Sequence, residues 1–271
     1  MSEPISSFGL VDTHCHLDFK SFDNDRKSVL MRAGDDGVIR ILNPSINLNS
    51  CRAALSIADG SDIVYVAVGV HPNDALSWNE DTVAQLKHMA EHPRVVAIGE
   101  IGLDYYRDRA PRELQARIFV EQLSLAAELG LPVVIHNRQA TKDVMRILSD
   151  WQHDLERKGS SLASRPGVLH SFSSDEEAAQ LAIAKNFFIG ITGPVTFRNA
   201  DELRNIVSSL PLDRLLIETD APFLTPHPYR GKRNQPAYVK YVAEKIAEVR
   251  GESFNEVASN TTTNANALFN W

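Results

Sequence analysis

The most constraining feature of this 271-residue chain is a repeated alternation of short apolar runs with amphipathic stretches. Most runs are rich in Val and Ile, which is typical of parallel strands buried on both faces. There are eight: Gly9–Asp12, Gly37–Leu42, Ile63–Val70, Val95–Gly99, Pro132–His136, Gly167–His170, Phe187–Ile191 and Leu215–Thr219. Strands that alternate with helices predict a closed parallel barrel or an open doubly wound sheet. Strand count and chain length favour a single (β/α)8 TIM barrel spanning residues 1–271.

Helices are predicted where apolar residues recur every three to four positions between these runs. Six such segments stand out: Thr82–Met89, Glu113–Leu129, Asp143–Trp151, a helix opened by Asp175, Pro236–Val249 and Ser253–Leu268. The second ends at Gly130, with Pro132 just beyond it, which is a common way to terminate a helix. The segment Glu156–Arg165 reads as a surface insertion before the sixth strand.

Charge and cysteine content limit the function classes. A net charge of −7 does not fit a protein that coats nucleic acid nonspecifically, because such binding depends on Lys and Arg neutralising phosphates. Any phosphate recognition must therefore be local. Two cysteines give no disulfide framework, and the first ten residues lack the basic start and apolar run of a signal peptide. The apolar runs are too short to span a membrane. We expect a cytoplasmic monomer.

Ionisable residues stand at the ends of several predicted strands or directly after them. The first strand leads into Asp12-Thr13-His14-Cys15-His16, and the alternation of strand side chains places His14 and His16 on one face. The ends of the fourth, fifth, sixth and eighth strands carry Glu100, His136, His170 and Asp220. Barrel closure brings these ends around one axis, at the face where TIM barrels build active sites.

This set of residues predicts a metal centre. A lone histidine at a strand end is more often a hydrogen-bonded structural residue, so the prediction rests on the joint pattern. Four histidines and two carboxylates exceed the needs of one tetrahedral site, which indicates two nearby divalent ions that share a carboxylate. Such a pair can supply a hydroxide nucleophile and stabilise charge that develops on a phosphoryl group.

Several short motifs contain or adjoin these residues: Asp12–Asp18, Gly69–Pro72, Gly99–Tyr105, Val134–Arg138, Leu169–Phe172 and Glu218–Leu224. They resemble the TatD family of metal-dependent deoxyribonucleases, and the similarity extends to Asn260–Ala265. As a set these motifs are highly specific to the family. Singly, only the first and the Glu-Thr-Asp-Ala-Pro block are.

The resemblance implies an amidohydrolase-type barrel and a set of ligands. His14, His16 and Asp220 would hold one divalent ion, Glu100 would bridge, and His136 and His170 would hold the second. Asp220 would also accept a proton from the attacking water, because it can contact both metal and solvent. The family implies Mg²⁺ or Mn²⁺ dependence, whereas the histidine-rich shell suits zinc, nickel or manganese better than magnesium.

Other residues at the barrel mouth are candidates for substrate contact. His71 follows the third strand inside a family motif and is predicted to donate to a phosphate oxygen, although it could instead orient the loop at Pro72. Glu218 shares a strand face with Asp220 one layer deeper and is predicted to be structural. A phosphate-binding rim is predicted from Arg138, Arg230, Lys232 and Arg233, together with Arg107 and Arg109. Gln235 stands where the family usually has Glu, which argues against a role for negative charge at this position.

The expected function is metal-dependent phosphodiester cleavage by an exonuclease-type deoxyribonuclease that acts on single strands or ends. The concave mouth suits a splayed strand end, and no wide basic face is apparent. Two alternatives remain open. The same barrel and metals can hydrolyse a lactone, amide, carboxyl ester, phosphotriester or mischarged aminoacyl-tRNA, although Glu100 in place of a bridging lysine resembles the TatD branch. From another class, the chain could be a metal-bearing nucleic-acid-binding or scaffolding protein with little turnover.

Overall fold

The structure is a computed structural model that describes residues 9–107 and 109–271. Its strands form one eight-stranded sheet in which each strand pairs in parallel with the next along the chain. The strands are β1 Leu10–Asp12, β2 Val38–Pro44, β3 Val64–Val68, β4 Val95–Asp104, β5 Val133–Arg138, β6 Gly167–Leu169, β7 Phe188–Ile191 and β8 Leu215–Ile217. All eight predicted strands are present, and the TIM-barrel prediction is confirmed.

Hydrogen bonds just beyond β1 and β8 close the barrel, and no regular ladder joins these two strands in the described residues. The Thr13 amide donates to the Ile217 carbonyl at 3.2 Å, and the Asp220 amide donates to the His14 carbonyl at 2.8 Å. The His16 amide then donates to the Ala221 carbonyl at 2.8 Å. The segments that complete the barrel are therefore the ones that carry His14, His16 and Asp220.

The described helices surround the sheet and include all six predicted ones. They are α1 Arg26–Asp35, α2 Leu48–Asp59, α3 Thr82–Met89, α4 Arg112–Leu129, α5 Thr141–Arg157, α6 Glu176–Ala184, α7 Asp201–Ser209, α8 Val239–Arg250 and α9 Phe254–Phe269. Asp175 caps α6 as predicted, because its side chain accepts a hydrogen bond from the Ala178 amide at 2.9 Å. Among the described residues, no helix combines the length and the apolar character needed to cross a membrane.

The structure refines two predictions about segments between the strands. The segment Glu156–Arg165 is not a simple surface insertion, because α5 continues to Arg157 and Leu162 is fully buried. The Gln152 side chain also donates to the Ala163 carbonyl at 2.8 Å, which fixes this segment to α5. The predicted helix Pro236–Val249 divides into a short 3-10 helix, Pro236–Tyr238, followed by α8.

An apolar layer fills the barrel interior beneath the predicted site. Every strand contributes to this layer, and α9 closes it from below. Its buried residues are Val11, Leu42, Ala67, Val96, Ala97, Val134, Val168, Phe188, Leu216, Ala265, Leu268 and Phe269. Because strand side chains alternate, residues two positions further along β5, β6 and β8 face the same interior. Those residues are His136, His170 and Glu218. The alternation therefore places the polar cluster directly above the apolar layer.

Strand β4 is longer than predicted and is irregularly paired where it reaches the site. Its pairing with β5 shifts register between Ile98 and Ile101, and the Glu100 amide donates to the Ser45 carbonyl at 2.8 Å. Irregularities of this kind re-aim side chains beside active sites. Gly102 has a φ of 141°, and a Cβ there would lie 2.0 Å from the His136 carbonyl oxygen. Only glycine therefore lets β4 continue to Asp104 alongside β5.

Candidate metal centre

Four predicted ligands converge at the top of β1, β4 and β8. The Nε2 atoms of His14 and His16 lie 3.2 Å apart. Glu100 Oε2 lies 3.6 Å from each of these nitrogens, and Asp220 Oδ1 lies 3.7 Å from His14 and 3.6 Å from His16. His16 Nδ1 is 3.2 Å from the Pro44 carbonyl, which fixes its proton on Nδ1 and leaves Nε2 free to bind a cation.

The other oxygen of Glu100 faces a second group of histidines. Glu100 Oε1 lies 2.7 Å from His136 Nδ1, 2.8 Å from His170 Nε2 and 3.5 Å from His71 Nε2. The predicted bridging residue thus lies between the two predicted histidine pairs, with one oxygen toward each. All six predicted ligands meet in this cluster.

The donor set fits divalent cations. Ligands about 2.0–2.1 Å from a tetrahedral zinc ion stand roughly 3.3 Å apart, close to the 3.2–3.7 Å separations of the first four donors. His14, His16 and Asp220 can together hold one ion, and so can His71, Glu100 and His136. A third combination, His14, His170 and Glu218, differs from the prediction. Imidazole and carboxylate donors suit zinc, manganese or nickel.

Protons occupy part of this cluster when no cation is bound. Burial raises the pKa of Glu100, but the surrounding histidines, led by His170 and His71, outweigh it and hold that pKa well below its usual range. Burial lowers the pKa of His170, but Glu100 reverses this and raises it well above the usual value. Burial raises the pKa of Asp220 to about 6. The cluster therefore balances an anionic Glu100 against a protonated His170.

Asp104 supports the second histidine pair, a role that the sequence did not reveal. Asp104 Oδ2 lies 3.2 Å from His136 Nε2, and its Oδ1 accepts the backbone amides of Tyr106 and Arg107 at 3.0 and 2.9 Å. A carboxylate on Nε2 leaves His136 Nδ1 free toward Glu100, as in carboxylate–histidine–metal arrangements. The only sequence signal was the spacing, since Asp104 follows Glu100 by four residues on one strand.

Asp12 and Asn234 position the first group of ligands, and they too were missed. Asp12 is fully buried and accepts from the Thr219 hydroxyl at 2.6 Å, the Thr219 amide at 2.9 Å and the His14 amide at 3.3 Å. Burial raises the pKa of Asp12 to about 8. Asn234 donates to the Thr219 carbonyl at 2.8 Å. Asn234 also donates to the Phe223 carbonyl at 2.6 Å, so these bonds together fix the backbone on both sides of Asp220.

His71 lies at the edge of the second group with a defined tautomer. Its Nδ1 accepts a hydrogen bond from the Asn73 amide at 3.0 Å, so the neutral ring carries its proton on Nε2. Burial and the neighbouring His136 lower the pKa of His71, which favours that neutral form. In this tautomer Nε2 points a hydrogen-bond donor, and not a metal-binding lone pair, toward the cluster; the donation to a phosphate oxygen stays a prediction.

Glu218 lies below the cluster, as the strand alternation predicted. It is fully buried, its Oε2 accepts the Ser171 amide at 3.0 Å, and the same oxygen lies 3.7 Å from His170 Nδ1. Gly190 makes room for it, because a Cβ at that position would lie 1.9 Å from Glu218 Oε1. Glu218 can therefore orient His170 from the side opposite Glu100.

The predicted basic rim is divided among several partners. Arg138 stacks on the Tyr106 ring at 4.0 Å, Arg230 on Phe197 at 3.8 Å, and the Lys232 ammonium lies 5.3 Å from the Tyr229 ring. Arg233 instead forms a bidentate ion pair with Asp25, in which its two terminal nitrogens donate to the two carboxylate oxygens at 2.9 and 2.7 Å. Arg107 and Arg109 are exposed. For all six basic residues of the rim, contact with the substrate stays a prediction.

Gln235 has a structural partner in α1. Its side-chain oxygen accepts two hydrogen bonds from Arg32 of α1, at 3.0 and 2.8 Å. At position 235, where the family resemblance leads one to expect a carboxylate, a neutral amide therefore binds Arg32.

Comparisons with known proteins agree with this geometry. The family model described as "TatD related DNase" matches residues 11–270. A Bacillus subtilis protein named "Uncharacterized metal-dependent hydrolase YabD" is 44% identical over 96% of this chain and 98% of its own length. A protein of Erwinia tasmaniensis named "3'-5' ssDNA/RNA exonuclease TatD" is 38% identical over 96% of this chain and 100% of its own. The crystal structure of YJJV, a TatD homologue from Escherichia coli, has 32% identity, covers 97% of this chain and 98% of its own, and has a TM-score of 0.88. The chain is a metal-dependent hydrolase that belongs to the TatD-related DNase family.

Proposed function

We propose that this protein is a two-metal phosphodiesterase that removes nucleotides from the ends of single-stranded nucleic acid. The observation that carries the proposal is the placement of Glu100, whose two oxygens face two separate groups of histidines. A carboxylate in that position suits a bridge between two ions. The name of the Erwinia relative supports single-stranded DNA or RNA as substrate and a 3' to 5' direction.

Residues of this chain can divide the chemistry between them. Two divalent ions held by His14, His16, Asp220, Glu100, His136 and His170 would supply Lewis acidity toward a phosphoryl oxygen and an acidified water. The Asp220 side chain is 15% exposed, against 4% for Glu100, 1% for Asp104 and none for Glu218. Asp220 is therefore the carboxylate of the cluster that can accept a proton from an attacking water. His71 Nε2 would donate to a phosphate oxygen.

The charge distribution supports strand ends over an intact duplex. With a net charge of −7, the protein has to bind phosphates through local cations and the metal centre. Arg138 and Arg230 each stack on an aromatic ring, which holds a guanidinium in place without neutralising it. These pairs suit a few phosphates of one strand. The cytoplasmic location and the monomeric state stay predictions.

The direct test is cleavage of end-labelled DNA and RNA with Mg²⁺, Mn²⁺ or Zn²⁺ by the wild-type protein and by Glu100→Ala. We expect stepwise shortening of linear single strands and a loss of about 10²- to 10³-fold in rate for Glu100→Ala, the usual effect of removing one essential electrostatic group. Glu202→Ala, an exposed carboxylate on α7, is the matched control and should cleave normally. Equal cleavage of a closed circular duplex would contradict action at strand ends.

The same preparations separate the remaining alternatives. The protein could bind metal and cleave no oligonucleotide, yet turn over a lactone, an amide or an aminoacyl-tRNA. This result would show that the enzyme hydrolyses a bond other than a phosphodiester. Tight oligonucleotide binding without turnover of any of these compounds would indicate a binding or scaffolding role.

A further inference from the structure

An apolar groove of about 550 Å³ lies beside the metal centre. Its volume is in the range of small-ligand pockets. The side chains that form it come from the segments after β1, β2 and β8, including Phe19, Lys20, Ile46, Ala53, Pro222 and Phe223. Asp18 also lines the groove, but Asn43 and Ser50 donate to its two oxygens, at 2.9 and 2.6 Å. The walls therefore offer mainly apolar and aromatic surface.

Two phenylalanines connect the groove to the ligands. The Phe19 ring stacks on His16, with centroids 4.6 Å apart and planes at 18°. Phe223 follows Asp220 by three residues, and its amide donates to the Asp220 carbonyl at 2.9 Å. Its ring meets Phe19 edge to face at 5.9 Å and is still 52% exposed. The turn that carries Asp220 thus also places an open aromatic face at the groove.

We propose that this groove binds the base of a nucleotide adjoining the cleaved bond, with Phe223 as its stacking platform. The inference rests on the proposed nuclease function and adds a substrate contact to it. Every base has a π face, so stacking on a phenylalanine holds a strand without selecting its sequence. Lys20, exposed at the rim, complements the phosphates on either side of such a base.

This assignment explains how an acidic protein can hold a single strand. Stacking supplies affinity that does not depend on neutralising many phosphates, and a base inside a duplex is not free to enter the groove. A lone exposed phenylalanine is common on protein surfaces. Here the exposed ring belongs to an aromatic pair that abuts a predicted metal ligand, which is where a nucleotide next to the reacting phosphate has to lie.

The test combines Phe223→Ala with short single-stranded oligonucleotides that carry a normal or an abasic nucleotide at the last or the next-to-last position. We expect Phe223→Ala to lower kcat/KM about tenfold on the strand that carries all its bases. On a strand that lacks the base at the position bound by the groove, the substitution should leave kcat/KM unchanged. Phe223→Tyr should retain wild-type rates. Leu181→Ala, an exposed residue on α6, is the control. Fluorescence of a terminal 2-aminopurine, measured with metal-free protein, should be quenched by the wild type and not by Phe223→Ala.

The outcomes distinguish this inference from the proposed function. If the wild type cleaves no oligonucleotide, the proposed function fails, and the 2-aminopurine measurement still decides whether the groove binds a base. If Phe223→Ala slows base-bearing and abasic strands equally, or slows neither, the groove inference is overturned while the nuclease function stands. A change of oligomeric state in Phe223→Ala, without any base-dependent effect, would also overturn it by assigning the surface to a second copy of the chain.

Discussion

Individual side chains in this cluster are held by partners that decide which atom faces a cation. His16 donates to the Pro44 carbonyl, His71 accepts from the Asn73 amide, and His136 pairs with Asp104. Each contact fixes a tautomer, so two of these rings present a lone pair to the centre and His71 presents a proton. The sequence predicted which residues meet, but only the three-dimensional contacts show what each nitrogen can do.

Asp104→Asn is expected to weaken metal binding by about 10- to 100-fold. The amide can still accept the Tyr106 and Arg107 backbone protons, but its NH2 group would face His136 Nε2 and the Asn73 side chain, both of which need an acceptor. Calorimetric titration with Mn²⁺ or Zn²⁺ measures the effect. Asp175→Asn, which keeps a good helix cap on α6, serves as control. Unchanged affinity in Asp104→Asn would show that this carboxylate does not orient His136.

Metal affinity is expected to fall as the pH is lowered from 8 to 5.5. Metal ligands have to be deprotonated, and the pKa values of His170 and His136 are raised, mainly by carboxylates against the opposing effect of burial. Both rings therefore hold their protons to a higher pH than a free histidine does, and bound cations have to compete with those protons as the pH falls. Each proton displaced changes the apparent affinity by up to about tenfold per pH unit. Competition titrations with a chromophoric chelator test this, and a pH-independent affinity would contradict the assignment of these two ligands.

Elements differ in how much of them the sequence determines. The runs rich in Val and Ile predicted all eight strands, because doubly buried parallel strands need continuous apolar residues. The end of β4 was placed at Gly99, five residues too early, because the bulge at Glu100 depends on contacts with β2 and β5 that no local pattern encodes. For this reason Asp104 was missed. The closure between β1 and β8 likewise depends on tertiary hydrogen bonds.

The ion pair between Arg233 and Asp25 ties the loop after β8 to the start of α1. Arg233→Met is expected to lower the free energy of unfolding by about 1 kcal/mol or less at pH 7, because both groups are about one-third exposed. Arg233 lowers the pKa of Asp25, so this stability is present above the unfolded pKa of about 3.9 and is lost as the pH falls through the folded value. Urea titrations at pH 7 and pH 3 measure it. A large rise in KM for oligonucleotides with unchanged stability would instead establish Arg233 as a substrate contact.

In the whole molecule, the residues that stabilise the barrel and the candidate catalytic residues lie at opposite ends of it. The apolar layer and α9 fill and close one end of the barrel, and the polar cluster occupies the other. This division is general in TIM barrels, where residues at the amino ends of the strands serve stability and those at the carboxyl ends serve function. The organisation explains why the ends of the predicted strands were the places to look for His136, His170 and Asp220 in the sequence.

Leu268→Ala in α9 is expected to cost about 2–5 kcal/mol of unfolding free energy, because this side chain is fully buried in the apolar layer. Below its unfolding transition the variant should bind metal and cleave substrate at wild-type rates. Denaturant titration and activity at 15 °C test the two statements separately, with the exposed Leu181→Ala as control. A folded Leu268→Ala protein with weakened metal binding would show that the two ends of the barrel are coupled.

The most direct test of the account is the anomalous scattering of Mn²⁺ in crystals of the wild-type protein. Glu100 between two groups of histidines predicts two peaks, one among His14, His16, Glu100 and Asp220 and the other among Glu100, His136 and His170. A single ion that leaves one Glu100 oxygen without a metal, or an ion held by His14, His170 and Glu218, would contradict the two-metal assignment and with it the proposed mechanism.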